Sequence, residues 1–416
     1  MRYLRLVILL GCWLGAAFAA HAQGRITGVV QDSVTREPLA FASVFLANTT
    51  LGATTNENGA FVLDRVPKGT YDIVGSYVGY RLSKQSITVT AGATAPAVTL
   101  RLPSSGPQLG EVVVHADSHQ EDNYRKFIDL FVGRTAFSKQ CRITNAEDVD
   151  IDFNDTTKTL TASTPNYVQV ENKALGYRLK YFGMNFQYNE NTDAVSYEGQ
   201  TVFEEMKPKD ENQRRQWAAN RLAAYNGSLT HFLKSVYDNK VKENNFLAQQ
   251  VRLVVPQRAA RAEAALRKKK TPFTKAELDS LRAWSELPPV AQLNPAARPI
   301  DSLRRVAADG RVFLRFSDEL QVAYFGEAPD PAYTAPMSPI GPAADKTMPA
   351  KRQVSRLSLL APETELNPNG TLENPFDVGR GEYWGFQRIG ELLPLDYVPP
   401  VAAAPASAAA SQAKAR

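Results

Sequence analysis

The chain has 416 residues, enough for two or three domains with a sizeable core, and its 44% hydrophobic and 22% charged residues are ordinary for a soluble globular protein. Its formal charge is +5, and removing Arg2 and Arg5 with the leader described below leaves +3. That excess is weak support for a polyanion partner, and no basic face interleaved with aromatics marks nucleic-acid binding.

The first stretch, "MRYLRLVILLGCWLGAAFAAHAQ", has a basic start at Arg2 and Arg5, an apolar run from Leu6 to Ala20, and the site Ala20-His21-Ala22. It reads as a signal peptide over 1–22, with cleavage after Ala22. "LLGC" loosely resembles a lipoprotein site at Cys12, but Leu10 is bulky and the apolar run continues past the cysteine, which favours ordinary cleavage. Cys141 is then the sole cysteine, so no internal disulfide forms, and its simplest role is that of a small buried hydrophobe. No later stretch is apolar over the roughly 20 residues that a helical span needs. The expected address is outside the cytoplasm, in the periplasm, at the outer membrane or on the cell surface.

Residues 23–102 alternate short strands with turn clusters, the pattern of an all-β sandwich. Ile26, Gly28 and Val30 share one face, Phe41 and Phe45 flank Ser43, and Phe61 and Leu63 follow the "NENG" turn at period two. That turn reads as a hairpin, with Asn58 and Gly59 at positive φ. Tyr71, Ile73 and Tyr77 line the next strand. The pattern G-x-V-x-D-x-x-T-x-x-P-L-x-x-A-x-V, then G-x-x-T-x-x-x-G-x-F-x-L, then V-P-x-G-x-Y-x-I-x-x-S-x-V-G-Y, from Gly28 to Tyr80, resembles the carboxypeptidase regulatory-like domain. The resemblance implies a seven-stranded, transthyretin-like sandwich, a non-catalytic appendage common on exported Bacteroidota proteins. "LGEVVV" at Leu109–Val114 resembles the segment that follows this domain in TonB-dependent receptors. A carboxypeptidase zinc site needs H-x-x-E, which no histidine after the leader supplies. The residues after the sandwich are too few for a receptor's plug and barrel.

Residues 103–140 read as a linker and one helix, with Tyr124, Phe127, Ile128 and Phe131 on a stripe that Gly133 ends. From 141 to 400 the expectation is a β-rich α+β domain. Alternating strands run from Val149 to Glu205, and a helical pair follows, broken at Asn226-Gly227 with Ser228 as the second N-cap. Two insertions interrupt the domain, a basic one at about 256–310 and a Pro/Ala-rich one at about 328–350. Inside the first, Thr274 with Glu277 makes a capping box for a helix near 275–286, and "RKKK" at Arg267–Lys270 reads as a solvated face. "VFLRFSDELQVAYFGE" reads as a hairpin and "VSRLSLL" as a strand. Trp384, Phe386, Ile389, Leu392 and Leu393 suggest a docked amphipathic helix, and 401–416 is a low-complexity, disordered tail. This larger region resembles a group of uncharacterised Bacteroidota envelope proteins, which implies architecture and compartment but no activity.

Candidate chemistry is sparse. His115 and His119, at i, i+4, with Asp122 three further on, are the nearest approach to a metal set, although their linker position suits exposed histidines. Ser228 with His231 invites a nucleophile reading, yet no G-x-S-x-G elbow surrounds it and an N-cap explains the serine. No cofactor motif appears. In "YRLKYFGMNFQY", Tyr177, Leu179 and Tyr181 alternate with Arg178, Lys180 and Phe182, and an exposed second face there suits a peptide, a glycan or an envelope protein. The leading expectation is an exported, non-enzymatic binding or assembly protein of the cell envelope. The alternatives are a hydrolase of unrecognised type and a soluble accessory of TonB-dependent uptake.

Overall fold

The computed structural model describes residues 24–90, 97–105, 120–268, 273–287, 289–334 and 352–400. The leader with Cys12, the histidines His115 and His119, and the tail from 401 lie outside them, as does the Pro/Ala-rich loop from 335 to 351. The protein is mainly β with α+β character, and it divides into two compact units. The first comprises Met1–Phe131, Cys141–Arg214 and Pro394–Val398, the second mainly Val132–Gln140 and Arg215–Leu393. No helix among the described residues is long and apolar enough to cross a membrane.

The first unit begins with seven strands: β1 (Gly24–Asp32), β2 (Ser43–Leu46), β3 (Gly52–Thr54), β4 (Ala60–Val66), β5 (Gly69–Ser76), β6 (Ser83–Val89) and β7 (Val98–Leu102). They form two sheets, ordered β4-β1-β7 and β3-β2-β5-β6. Ile26, Val30, Val44, Leu46, Phe61, Leu63, Ile73, Leu100 and Leu102 fill the space between, following period-two alternation on each strand. The residues that carry the family resemblance hold this scaffold. Asp32 Oδ1 accepts from the amides of Val34 (2.7 Å) and Thr35 (2.9 Å), and its Oδ2 accepts from Tyr80 Oη (2.9 Å). These donors hold its carboxyl below the usual carboxylate range.

Two expectations about this sandwich are corrected. The "NENG" turn is not a hairpin, because β3 and β4 lie in different sheets and the turn carries the chain across. Its organiser is the Asn56 side chain, which accepts from the amides of Asn58 and Ala60, and only Gly59 of the pair has positive φ. Phe41 is 69% exposed at φ 61, ahead of β2, while Phe45 points out of the sandwich and leaves Val44 and Leu46 to face the core.

The same unit continues through α1 (Gln120–Phe131), β8 (Cys141–Ile143), β9 (Asp150–Asn154), β10 (Thr159–Ser163), β11 (Tyr167–Asn172), β12 (Tyr177–Asn189) and β13 (Ala194–Glu205). These six strands form one antiparallel sheet in which long β12 pairs with β11 and β10 in succession on one side and with β13 on the other. A bulge between Phe182 and Asn185 switches the alternation: Tyr177, Leu179 and Tyr181 are buried before it, and Met184 and Phe186 after it. Phe127 and Phe131 of α1 stack at 5.2 Å, and Phe186 and Tyr181 meet them edge-on. Cys141, at the start of β8, is half-buried rather than a core residue.

The second unit contains most of α2 (Glu211–Tyr225), α3 (Leu229–Tyr237), β14 (Phe246–Val254), α4 (Gln257–Arg267), α5 (Lys275–Ser285), β15 (Val290–Ala297), β16 (Arg304–Val306), β17 (Val312–Leu314), β18 (Glu319–Tyr324), β19 (Gln353–Leu359), β20 (Thr364–Leu366), β21 (Val378–Glu382) and the single turn α6 (Tyr383–Phe386). A five-stranded sheet, β15-β14-β18-β19-β21, accompanies a small one, β16-β17-β20. The expected hairpin at 312–327 is therefore absent: β17 and β18 belong to different sheets. The expected C-terminal amphipathic helix is also absent, because Ile389 lies in a separate short 3-10 turn, Ile389–Glu391. Trp384 and Ile389 are nonetheless buried, while Phe386, Leu392 and Leu393 are only half-buried.

Candidate functional site

The outward face of β2 and the second face of β12 meet in the first unit. Phe45, Ala47 and Val74 pack on Phe182, with the Phe45 and Phe182 rings stacked at 4.9 Å. The loop after β2 is stitched to β13: Asn48 N–H donates to Thr201 O at 2.6 Å and Phe203 N–H to Thr49 O at 2.9 Å. Residues near the C-terminus brace the loop, with Leu395 N–H donating to Asn48 O (2.7 Å) and Asp396 accepting from the Thr50 amide (3.0 Å) and hydroxyl.

This junction leaves an open cleft of about 320 Å³, lined in part by Phe45, Gly52, Thr54, Arg178, Lys180 and Val202. The aromatic and basic face that the sequence singled out is one wall of it. Phe182 is buried against the sandwich, and Tyr177, Leu179 and Tyr181 are packed on the opposite face. Arg178 is held by Glu204 (3.2 Å) and Glu171 (3.8 Å), and the Lys180 ammonium sits 4.9 Å from the centroid of the Tyr167 ring. The other wall is the edge strand β3. Leu46 N–H bonds Leu51 O and Thr55 N–H bonds Ala42 O, so by alternation the amides and carbonyls of Gly52 and Thr54 point away from β2. Periodicity showed the face on β12, but nothing in the sequence announced that β3 would face it.

Ser228 and His231 are adjacent, as a cap rather than a nucleophile and base. Ser228 Oγ accepts from the His231 amide at 3.1 Å, and His231 Nδ1 accepts from the Gly227 amide at 3.2 Å. The imidazole packs on Tyr225 (4.8 Å) and Phe246 (4.9 Å), and burial pushes its pKa down to about 4. A neutral ring with Nδ1 already bonded to backbone has no hydrogen bond to the serine hydroxyl to activate it. Ser228→Ala is expected to cost about 1 kcal/mol in denaturant unfolding, the usual worth of an N-cap. Of the metal trio, Asp122 lies in the first turn of α1 and pairs with Arg125 at 3.4 Å, and the two histidines lie outside the described residues.

One titratable group escaped the sequence reading. In the second unit Gly390 N–H donates to Val132 O (2.9 Å), and Ser138 Oγ donates to the same carbonyl (3.0 Å) while lying 2.9 Å from Thr135 Oγ1. Thr135 also hydrogen-bonds the carboxyl of Glu391, which burial pushes up to about 7 against the Thr135 bond, with the Asp330 charge adding to the rise. A Cβ on Gly390 would stand 2.2 Å from Ser138 Oγ, so only glycine lets the two segments approach this closely. The approach joins residues some 250 positions apart, which no local pattern reveals.

The family profile described as the CarboxypepD_reg-like domain matches residues 26–114, so the chain carries that domain at the sandwich and the segment after it. No curated protein matches the chain. Among solved structures it is similar to a type II cohesin–X–dockerin complex from Acetivibrio cellulolyticus, at 23% identity and TM-score 0.16, over 18% of this chain and 56% of that one. The match thus spans little more than half the length of that protein. A putative carbohydrate binding protein from Bacteroides uniformis matches at 9% identity and TM-score 0.16, over 43% and 79% of the two chains. A DUF3823 family protein from Bacteroides ovatus matches at 10% identity and TM-score 0.15, over 44% and 82%. With TM-scores this low, the three likenesses carry no argument about function.

Proposed function

We propose that the protein is an exported, non-enzymatic binding or assembly component of the cell envelope, and that the cleft between β3 and β12–β13 holds its partner. The observation that carries this reading is the outward edge of β3 facing a wall of Arg178, Lys180 and Phe182. A strand edge beside a groove is suited to an extended peptide, which adds main-chain hydrogen bonds to the edge and places alternate side chains in the groove. A glycan suits the site less well. Sugar stacking needs a presented ring face, and Phe45 and Phe182 are only 2% and 5% exposed. The regulatory-like domain at 26–114 and the leader over 1–22 support the envelope address.

The test places a photo-crosslinking residue at Thr54 in the full-length protein, in cells. The expected result is one reproducible adduct with an envelope protein, lost when Gly52 is replaced by proline while the probe stays at Thr54. Proline at Gly52 removes only an outward amide and leaves the β2 pairing in place. An adduct pattern that matches a probe at exposed Phe376, or that survives Gly52→Pro, rules the reading out.

A further inference from the structure

The segment between β14 and β15 is built differently from the rest of the second unit. Pairing of β14 with β18 ends at Val251–Glu319, and β14 continues only against β15, through Arg252–Gln292, Leu253–Ala291 and Val254–Val290. A two-stranded ribbon is marginal in water by itself, and this one exposes Leu253 (62%), Val255 (51%) and Val290 (46%). It leads into α4 and α5, which pack on each other. That contact buries Ala259 and Ala262 of α4 and no α5 side chain fully. Between them lies an open cleft of about 500 Å³, lined by Arg258, Arg261, Leu281 and Trp284 among others, with the Arg258 guanidinium 4.1 Å from the centroid of the Trp284 ring. Cleft and apolar patch are continuous along the chain: Val255 comes just before α4 and Leu287 just after α5.

Charge falls in the same place. Residues 252–290 hold nine Lys and Arg against four Asp and Glu, which equals the formal +5 of the whole chain and leaves the remainder neutral in sum. Two of those acids are engaged locally, Glu263 with Arg267 and Glu277 in the capping box with Thr274. Arg261, Lys268, Lys275 and Arg282 are exposed and form no ion pair among the described residues. A purely solvated basic face has no need of five exposed aliphatic side chains beside it.

We propose that this arm docks on an anionic lipid surface. Arg258 and Arg261 take a headgroup phosphate at the α4–α5 cleft, and Leu253 and Val255, which strand alternation puts on one face, enter the acyl boundary. Guanidinium groups match phosphate geometry, and basic residues beside exposed aliphatics bind interfaces through both charge and apolar burial. A bilayer is favoured over an acidic protein because the unpaired cations are spread over both helices, as a continuous field of headgroups would meet them, rather than gathered at one spot. The proposal is independent of the β3 cleft.

The test is co-sedimentation of the full mature chain with phosphatidylcholine vesicles, with and without about 30% phosphatidylglycerol, at about 0.1 M salt. Binding to the anionic vesicles is expected to be at least about 10-fold stronger and to fall steeply as salt rises. The double variant Arg258→Glu/Arg261→Glu should lose it. Leu253→Asp/Val255→Asp, at exposed positions, should weaken it about 10-fold with an unchanged melting temperature. Equal partition into both vesicle types, no partition, or wild-type binding by the Arg258→Glu/Arg261→Glu protein overturns the proposal. Saturable binding of polyglutamate without vesicle binding also overturns it and makes the partner an acidic protein. Equally tight binding of glycerol 3-phosphate in solution overturns the membrane source.

Discussion

Replacing Glu391 by Gln is expected to raise thermal stability at pH 8 and to leave it nearly unchanged at pH 4. Burial of the carboxyl gives the reason: together with the Asp330 charge it outweighs the Thr135 hydrogen bond, which favours the ionised form. The carboxyl ionises at about 7 in the fold, against an ordinary value of 4.5. A raised folded pKa favours folding fully below 4.5, and that contribution is lost as pH rises through 7. The loss between pH 4 and pH 8 is about 2–3 kcal/mol, at the lower end because the side chain keeps some solvent contact. Glutamine stays neutral at every pH, can still accept from Thr135 and leaves no charge near Asp330, so the melting curves of the two proteins should separate only above about pH 5. A difference that is constant from pH 4 to pH 8 would show that folding leaves the Glu391 carboxyl at its ordinary pKa. Glu327, whose carboxyl burial also pushes up, contributes in the same direction to both proteins and cancels in the comparison.

The parts of this protein that were legible in the sequence are those specified locally. Strand alternation placed β9 to β13 because one face of that sheet is buried and the period is two. Capping chemistry placed Ser228 and Thr274 because an N-cap needs only its own first turn. The errors share one cause, which is that partner choice is non-local. Period two assigned Phe45 to the sandwich core, and Phe182, some 137 positions later, draws it outward. Adjacent strands β17 and β18 looked like a hairpin until β20 and β14 were seen to compete for them. The β12 wall of the cleft was visible as alternating basic and aromatic residues, and the β3 wall was not, since an edge strand is defined by the absence of a neighbour. Glu391 carries no local signal, because its raised pKa comes from burial, with the Asp330 charge adding to it, and both depend on segments distant in the sequence.

The other large effect belongs to Trp384, which was read as one residue of an amphipathic helix and is instead the pivot of the second unit. The indole is 2% exposed and packs on Phe232 at 5.5 Å, and its Nε1–H donates to Gly227 O at 2.8 Å. That carbonyl belongs to the bend between α2 and α3, where Gly227 has φ +73 and a Cβ would lie 2.1 Å from Gln353 Oε1. One side chain therefore holds the α2–α3 bend against β19, and its own amide donates to Ser355 Oγ at 3.2 Å. Trp384→Ala removes the ring, leaves a cavity beside Phe232 and orphans the Gly227 carbonyl, and is expected to cost about 3–5 kcal/mol. Trp384→Phe keeps most of the volume and loses the donor, so its cost should be nearer 1–3 kcal/mol, dominated by the unsatisfied oxygen. Far-UV circular dichroism in a urea titration reads both without depending on tryptophan emission. Equal costs for the two variants would place the stabilisation in the hydrogen bond. A cost for Trp384→Ala below about 1 kcal/mol would mean that the bend is held without it.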